Sequence, residues 1–337
     1  MSKHKPKVLL EPMYRPMERL FIPAGRMAVE AEADLVVAGA SFAGCAAALG
    51  AARRGARVVV VEPRTAPGYE AGALYRPWMD AAALDRPPAL LKPWIGAASR
   101  RVELGRRIAL HPDRMKRGLE DVLLAAGVRL LYASQPVGIV REGGRLAGLV
   151  VAGKGGRRAV LGRAVADATE WGLVARLAGE RFEQRWRLPA RIRASRTIEF
   201  TECDPGRLRD GPEGGWREGY LGPGHRLLEA WIDVGLPSAD LDGLMAAEIG
   251  ARRSTIALVE RLKAEMPGLR KAAFTHASYE LGMASPWVLA RGARVHANLA
   301  VLSSAAEPGE TAGRGWLDPL AAARTGEAAA AALAVPA

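Results

Sequence analysis

One segment, from Asp34 to Glu62, constrains the fold more than any other. Asp34-Leu35-Val36-Val37-Ala38 is an apolar run of strand length, the pattern of a strand covered on both faces. Gly39-Ala40-Ser41-Phe42-Ala43-Gly44 reads as a tight turn, and Cys45 to Arg54 as an alanine-rich helix closed by Gly55. Arg57-Val58-Val59-Val60-Val61 is a second buried strand that ends at Glu62. Strand, crossover helix and strand in about 30 residues make a βαβ unit, which calls for a parallel sheet. Glycine at such a turn lets backbone approach a ligand closely. The helix start offers free N–H groups and a positive dipole end to a pyrophosphate. An acid at the end of the second strand accepts hydrogen bonds from a ribose. Gly39 and Gly44 hold the first and third glycine positions, Ser41 stands in the middle one, and Glu62 is the acid. This register predicts dinucleotide binding, beside the plainer reading of a Rossmann-like unit kept for packing alone.

The 337 residues correspond to roughly two domains. With 49% hydrophobic and 25% charged residues, the chain is neither disordered nor fibrous. Its two cysteines, Cys45 and Cys203, exclude a disulfide framework. The net charge is +12, but the arginines are scattered in pairs such as Arg53-Arg54 and Arg252-Arg253. Only 6% of residues are aromatic, so stacking platforms for bases are scarce. We expect a solvated arginine-rich surface and no nucleic-acid partner, with part of the excess serving an anionic cofactor or substrate. Leu35 to Ala52 carries no charge, yet strand, turn and helix account for it better than a transmembrane span. The basic start, Met1 to Lys7, is followed only by Val8-Leu9-Leu10, too short for a signal-peptide core. A cytoplasmic protein without membrane partners is expected.

Residues 1–32, with Pro12, Pro16 and Pro23, read as an irregular arm. Residues 33–180 and 295–334 read as one nucleotide-binding domain, interrupted by a cap over 181–294. Pro112 to Ala126 is an amphipathic helix with Met115, Leu119, Val122 and Leu123 on one face. Apolar runs at 128–133, 137–140 and 146–151 follow, with hairpin signals at Gly143-Gly144 and at Gly153 to Gly156. Ala164 to Ala168 is a strand returning to the first sheet. In the cap, 196–201 and 228–232 alternate like half-exposed strands, and Ser238 caps a helix over 239–265. Asn298 to Leu302 is again a buried strand, and a helix over 318–333, including Ala328 to Ala332, ends the chain.

Three segments together carry a resemblance. Glu30 to Gly39 followed by Ala43-Gly44-Cys45-Ala46-Ala47-Ala48, then Ala166 to Gly179 with its Asp167-Ala168-Thr169, then Ala297 to Val301 with Gly326-Glu327-Ala328-Ala329, resemble FAD-dependent oxidoreductases of the glutathione-reductase fold type. The resemblance covers roughly 30–180 and 295–334. It implies an α/β fold: a Rossmann-like FAD/NAD(P)-binding domain with an inserted antiparallel β-meander and a smaller α+β cap. It implies FAD as cofactor and hydride transfer from a small organic substrate to the flavin. It places Gly39, Ser41, Phe42, Ala43 and Gly44 against the pyrophosphate. Glu62, followed by Pro63 and Arg64, falls to the adenosine ribose, and Val137 to the adenine. Ala168 and Thr169 lie at the re-entry into the flavin domain, and Ser303 near the ribityl chain or pyrophosphate.

The chain departs from the family where glycine is usual, at Ser41, Tyr69, Glu170 and Ser303. A side chain at a site of close approach costs space, positive φ is disfavoured there, and Glu170 brings negative charge toward a phosphate. Two alternatives therefore stand: a divergent protein with weakened or lost flavin binding that acts as a non-catalytic binder, or an NAD-binding enzyme without flavin. His225, His276 and Glu280 fall where a flavoenzyme can place an acid or base, and each also reads as an ordinary histidine or solvated carboxylate. The five histidines show no metal-ligand spacing. Cys45 reads as a small core residue rather than a thiol activated by a helix start. Trp171, Trp216, Trp231 and Trp287 read as packing or as flavin neighbours. No serine has a hydrolase context.

Overall fold

The computed structural model describes residues 27–80, 86–92, 103–104, 107–209, 215–291, 296–306 and 317–333. Of the arm expected over 1–32, residues 1–26 lie outside them. In chain order the elements are β1 (Val29–Ala38), α1 (Phe42–Ala52), β2 (Val58–Val61), α2 (Tyr69–Gly72), β3 (Trp78–Asp80), β4 (Glu103–Leu104), β5 (Arg107–Ala109), α3 (Pro112–Ala125), β6 (Arg129–Leu131), β7 (Gln135–Glu142), β8 (Arg145–Gly153), β9 (Gly156–Asp167), α4 (Leu173–Leu177), β10 (Phe182–Gln184), β11 (Ala190–Thr201), β12 (Trp216–Glu218), β13 (Arg226–Leu236), α5 (Leu241–Glu265), β14 (Ala273–Ala277), β15 (Trp287–Leu289), β16 (Leu299–Val301) and α6 (Pro319–Ala332).

The main sheet has seven strands in the order β6-β2-β1-β9-β8-β7, with β16 also paired to β9. β6, β2, β1, β9 and β16 run parallel, and β9, β8 and β7 form an antiparallel meander. This is the expected α/β architecture. Alternation in β1 and β2 explains their continuous apolar runs. Leu35, Val37, Val58 and Val60 enter the core under α1, α3 and α6. Val36, Ala38, Val59 and Val61 enter a second core that includes Leu149, Val160 and Val174. The uncharged run from Leu35 to Ala52 is thus a strand, a turn and a helix. No helix among the described residues is long and apolar enough to cross a membrane. Gly143 and Gly144, at φ +54° and +80°, make the hairpin turn between β7 and β8.

Alanine in α1 permits close helix contact with α6. A Cβ on Gly326 would stand 2.0 Å from the Ala43 carbonyl oxygen. Gly50 faces the Ala330 methyl in the same contact. The alanine-rich C-terminal helix is therefore part of the first core.

The second unit is a four-stranded antiparallel sheet, β12-β13-β11-β14, with α5 on one face. Val259 and Leu262 of α5 pack on Ile198 and Phe200, and Ala247 and Ala251 on Ile192 and Ala194. The opposite face is covered by residues of α2, the segment after it, and β3. Trp231 meets Tyr69, Leu74 and Leu317, and Leu227 meets Tyr75 and Trp78. A buried ion pair, Arg76 to Glu229, crosses the same contact.

Three expectations need correction. β1 starts at Val29, not Asp34, because residues 29–33 pair with β9. The strands at 196–201 and 228–232 are buried rather than half-exposed, because α5 covers one face and the first domain the other. The long helix is capped by Asp240, not Ser238. Asp240 accepts from the Gly243 N–H at 2.9 Å, and the Ser238 hydroxyl hydrogen-bonds the Asp240 carboxylate.

These contacts predict opposite outcomes for two helix glycines. Gly326→Ala overpacks α6 against α1 and is expected to lower unfolding free energy by about 1–3 kcal/mol. Gly250→Ala lies in open space in α5 and is expected to raise it by up to about 1 kcal/mol. Denaturant titration measures both. Stabilisation by Gly326→Ala would contradict the packing.

Candidate functional site

The turn between β1 and α1 is built against the end of β9. Gly39 has φ +92°, and a Cβ there would lie 2.4 Å from the Ala168 carbonyl oxygen. A Cβ on Gly44 would lie 2.1 Å from the Gly39 oxygen. Both glycines are therefore required by the protein's own backbone before any ligand is considered. Ser41 does not carry the expected strain. Its φ is −61° and ψ 169°, ordinary extended backbone, and it is the N-cap of α1. Its hydroxyl accepts from the Gly44 N–H at 3.2 Å and donates to the Ala168 carbonyl at 3.3 Å. A serine at this place does what serine does at helix starts.

Glu62 is buried and braces the turn. Its Oε2 accepts from the Ala40 N–H at 2.6 Å, and its Oε1 accepts from the Arg64 N–H at 2.9 Å. Burial pushes its carboxyl up, against the neighbouring Arg64 charge and these two amides. A carboxylate offers about four lone-pair positions, so acceptor capacity remains for a ribose hydroxyl.

Arg64, just after Pro63, is a hub. Its guanidinium bonds Glu170 at 2.6 Å, Glu280 at 2.7 and 2.8 Å, and Glu62 at 3.2 Å, and lies over the Tyr69 ring. Glu280, which the sequence offers as an acid or base, is thus tied to a guanidinium. Glu170 is paired as well, so its charge does not stand alone.

Glu70 is the residue that sequence reasoning missed. It is the second residue of the short helix α2, which follows Gly68 at φ +82°. Its carboxylate accepts from the Phe42 N–H, at 3.0 and 3.2 Å from its two oxygens. It is buried, and burial pushes its pKa up to about 8. A carboxyl group therefore sits on the first amide of α1, where a dinucleotide site presents N–H groups to phosphate.

Asp167, Ala168 and Thr169 hold the end of β9. Asp167 accepts from the Thr169 N–H and hydroxyl and from the Ala175 N–H, and Thr169 Oγ1 accepts from the Leu173 N–H. Burial pushes Asp167 up to about 6. A cavity of about 260 Å³ opens between the turn, the ends of β9 and β16, and α6, lined among others by Ser41, Ala43, Glu70, Ala168, Glu170 and Ser303. Val137 is on β7, three positions after Ser134, whose N–H donates to the Glu62 carbonyl, and its side chain is exposed. Cys45 is buried and its thiol is pushed up by burial, as befits a core residue.

His225 and His276 meet at a separate cluster between cap and first domain. His225 Nε2 and the Tyr75 hydroxyl both bond Glu199 Oε1 at 2.7 Å, and the Thr275 hydroxyl donates to Oε2 at 2.9 Å. These partners hold the Glu199 carboxyl down at about 2, against its burial. His225 Nδ1 accepts from the Leu221 N–H, so both ring nitrogens are engaged. The His276 ring lies edge-on to Tyr75 at 4.5 Å, and burial lowers its pKa. Neither histidine lines the cavity beside the turn. Glu199 and Tyr75 carried no local signal in the sequence.

Residues 34–190 match the family model described as FAD dependent oxidoreductase. No curated protein sequence matches the chain. A geranylgeranyl bacteriochlorophyll reductase-like protein from Thermoplasma acidophilum superposes with a TM-score of 0.59 at 16% identity, over 89% of this chain and 77% of that one. An L-amino acid deaminase from Proteus vulgaris gives 0.56 at 13% identity, over 90% and 94%. The flavin-dependent brominase Bmp2, as a triple mutant, gives 0.59 at 12% identity, over 89% and 79%. At these identities the structures establish a shared fold.

Glu70 makes ligand-free stability pH-dependent. Its folded pKa of about 8 lies above the ordinary value of 4.5, so ionisation opposes folding. The penalty is absent at low pH, grows as pH rises past the unfolded value, and is complete above about 8. Its upper limit is roughly 5 kcal/mol. Glu70→Gln keeps an oxygen for the Phe42 N–H without the charge. The expected result is a stability advantage of the variant over wild type that widens from pH 5 to pH 8. A difference independent of pH would contradict the buried carboxyl.

Proposed function

We propose that this chain, whose residues 34–190 match the FAD dependent oxidoreductase model, is a divergent flavoenzyme that transfers a hydride from a small organic substrate to bound FAD. The observation that carries the reading is the turn itself. Gly39 and Gly44 are packed without room for a Cβ, α1 begins there, and the Glu62 carboxylate is fixed at the end of β2. This cradle fits the adenosine half of the dinucleotide and brings a helix start to its phosphates.

When bound, FAD supplies the two-electron acceptor. The chain supplies position and charge. Glu62 would accept from the adenosine ribose hydroxyls, its oxygens held by the Ala40 and Arg64 amides. Ser41 and Ser303 both line the cavity and would offer hydroxyls to the polar chain of the cofactor. Arg64, gripped by Glu170 and Glu280, fixes the wall formed by Tyr69. At the cap contact, Tyr75 and His225 donate to one oxygen of an ionised Glu199, so this polar centre stays ordered and anionic. His276, half-buried against Tyr75 and held neutral by burial, is the group there suited to take a substrate proton. The oxidation of an alcohol, an amine or an activated C–H matches this division of labour.

The test is titration with excess FAD, followed by anaerobic addition of candidate substrates. Binding is expected to raise the melting temperature, and a true substrate to bleach the flavin absorbance. Glu62→Ala is expected to weaken FAD binding at least tenfold. No thermal shift and no flavin fluorescence change at saturating FAD would exclude the reading.

A further inference from the structure

The first amide of α1 already has an acceptor, a buried carboxyl group. Glu70 reaches it from α2, and its two oxygens lie at 3.0 and 3.2 Å from the Phe42 nitrogen. The group is built in rather than incidental. Its side chain is 2% exposed, it follows the Gly68 turn, and it lines the cavity together with Ser41, Ala43 and Ala168. The third amide of the helix is also served from within, since the Gly44 N–H bonds Ser41 Oγ. The surroundings do not compensate an entering anion. The Arg64 guanidinium bonds Glu170, which lines the same cavity, but it also bonds Glu62 and Glu280, so three carboxylates share one positive charge. A pyrophosphate entering here meets Glu70 on the amide it requires, with Glu170 nearby.

Taking the flavin reading as given, we infer that the Glu70 carboxyl is an internal competitor for the pyrophosphate, so that FAD is an exchangeable occupant of this chain and not a permanent one. The same side chain that stands in the way satisfies the Phe42 N–H of the empty domain. A helix start that is closed only by cofactor leaves its amides unsatisfied when the cofactor departs. Here Glu70 closes it, and binding exchanges the Glu70 carboxyl on the Phe42 N–H for a phosphate oxygen. The chain is thereby able to release and rebind FAD without unfolding its α1 turn. The competition concerns phosphate charge at one amide, so it acts on every ligand with a pyrophosphate and not on a nucleoside.

Calorimetric titration of the full chain with FAD, ADP and adenosine, at one pH and ionic strength, tests this. The variants are Glu70→Ala, which empties the position, and Glu70→Gln, which keeps an oxygen for the Phe42 N–H and guards against loss of folding. FAD and ADP are expected to bind at least tenfold more tightly to one or both variants than to wild type, with adenosine unchanged. Wild type loaded with FAD is expected to lose it on desalting, and the tightened variant to retain it. Equal or weaker FAD and ADP affinity in both folded variants overturns the inference while leaving the flavin reading intact. Absence of FAD and ADP binding by wild type and both variants overturns the flavin reading, and this inference with it.

Discussion

The rest of the structure depends on how the amides at the start of α1 are satisfied. Four groups converge there. Ser41 serves Gly44, Glu62 serves Ala40, Glu70 serves Phe42, and the Ala168 carbonyl receives the Ser41 hydroxyl. Each comes from a different element, so this one turn ties β1, β2, α2 and the end of β9 together. The two glycines at 39 and 44 are fixed by the same closeness. A helix start buried in this way must have acceptors, because an orphaned buried amide costs as much as a lost hydrogen bond. The sequence supplies them from side chains that are largely acidic, and that choice sets the electrostatics of the cavity.

The cap is coupled to this turn through the face of its sheet that the sequence pattern left ambiguous. Trp231 and Leu227 rest on Tyr69, Leu74, Tyr75 and Trp78, and Glu229 is paired with Arg76. Truncating one partner of such a buried pair leaves the other charge uncompensated, which makes the contact intolerant of single changes. The Glu199 cluster lies in the same contact. Polar groups there are satisfied mainly by one another, with Glu199 accepting from Tyr75, Thr275 and His225.

The parts legible from sequence were those set by local pattern. Leu35 to Ala38 and Val58 to Val61 alternate between two cores, and an uninterrupted apolar run announces that arrangement. Paired glycines at 143–144 announced a hairpin, and the Asp167-Ala168-Thr169 segment a strand return. Glu62 was legible because its position relative to the turn is fixed by the βαβ unit. Glu70, Glu199 and Tyr75 were not, because their partners are remote in sequence and depend on which elements the fold brings together. Ser41 was misread for the opposite reason. The glycine rule for that place concerns ligand approach, whereas the observed φ of −61° asks only for a good helix cap. The cap strands were misjudged because alternation reports one covered face and cannot reveal that a second domain covers the other.

The most direct test is a crystal structure of the protein soaked or grown with ADP, at a resolution that fixes the Glu70 carboxyl. The account predicts a phosphate oxygen on the Phe42 N–H, the adenosine ribose on Glu62, and the Glu70 side chain moved off the amide. A nucleotide seated in the cavity with Glu70 still bonded to the Phe42 N–H would contradict it.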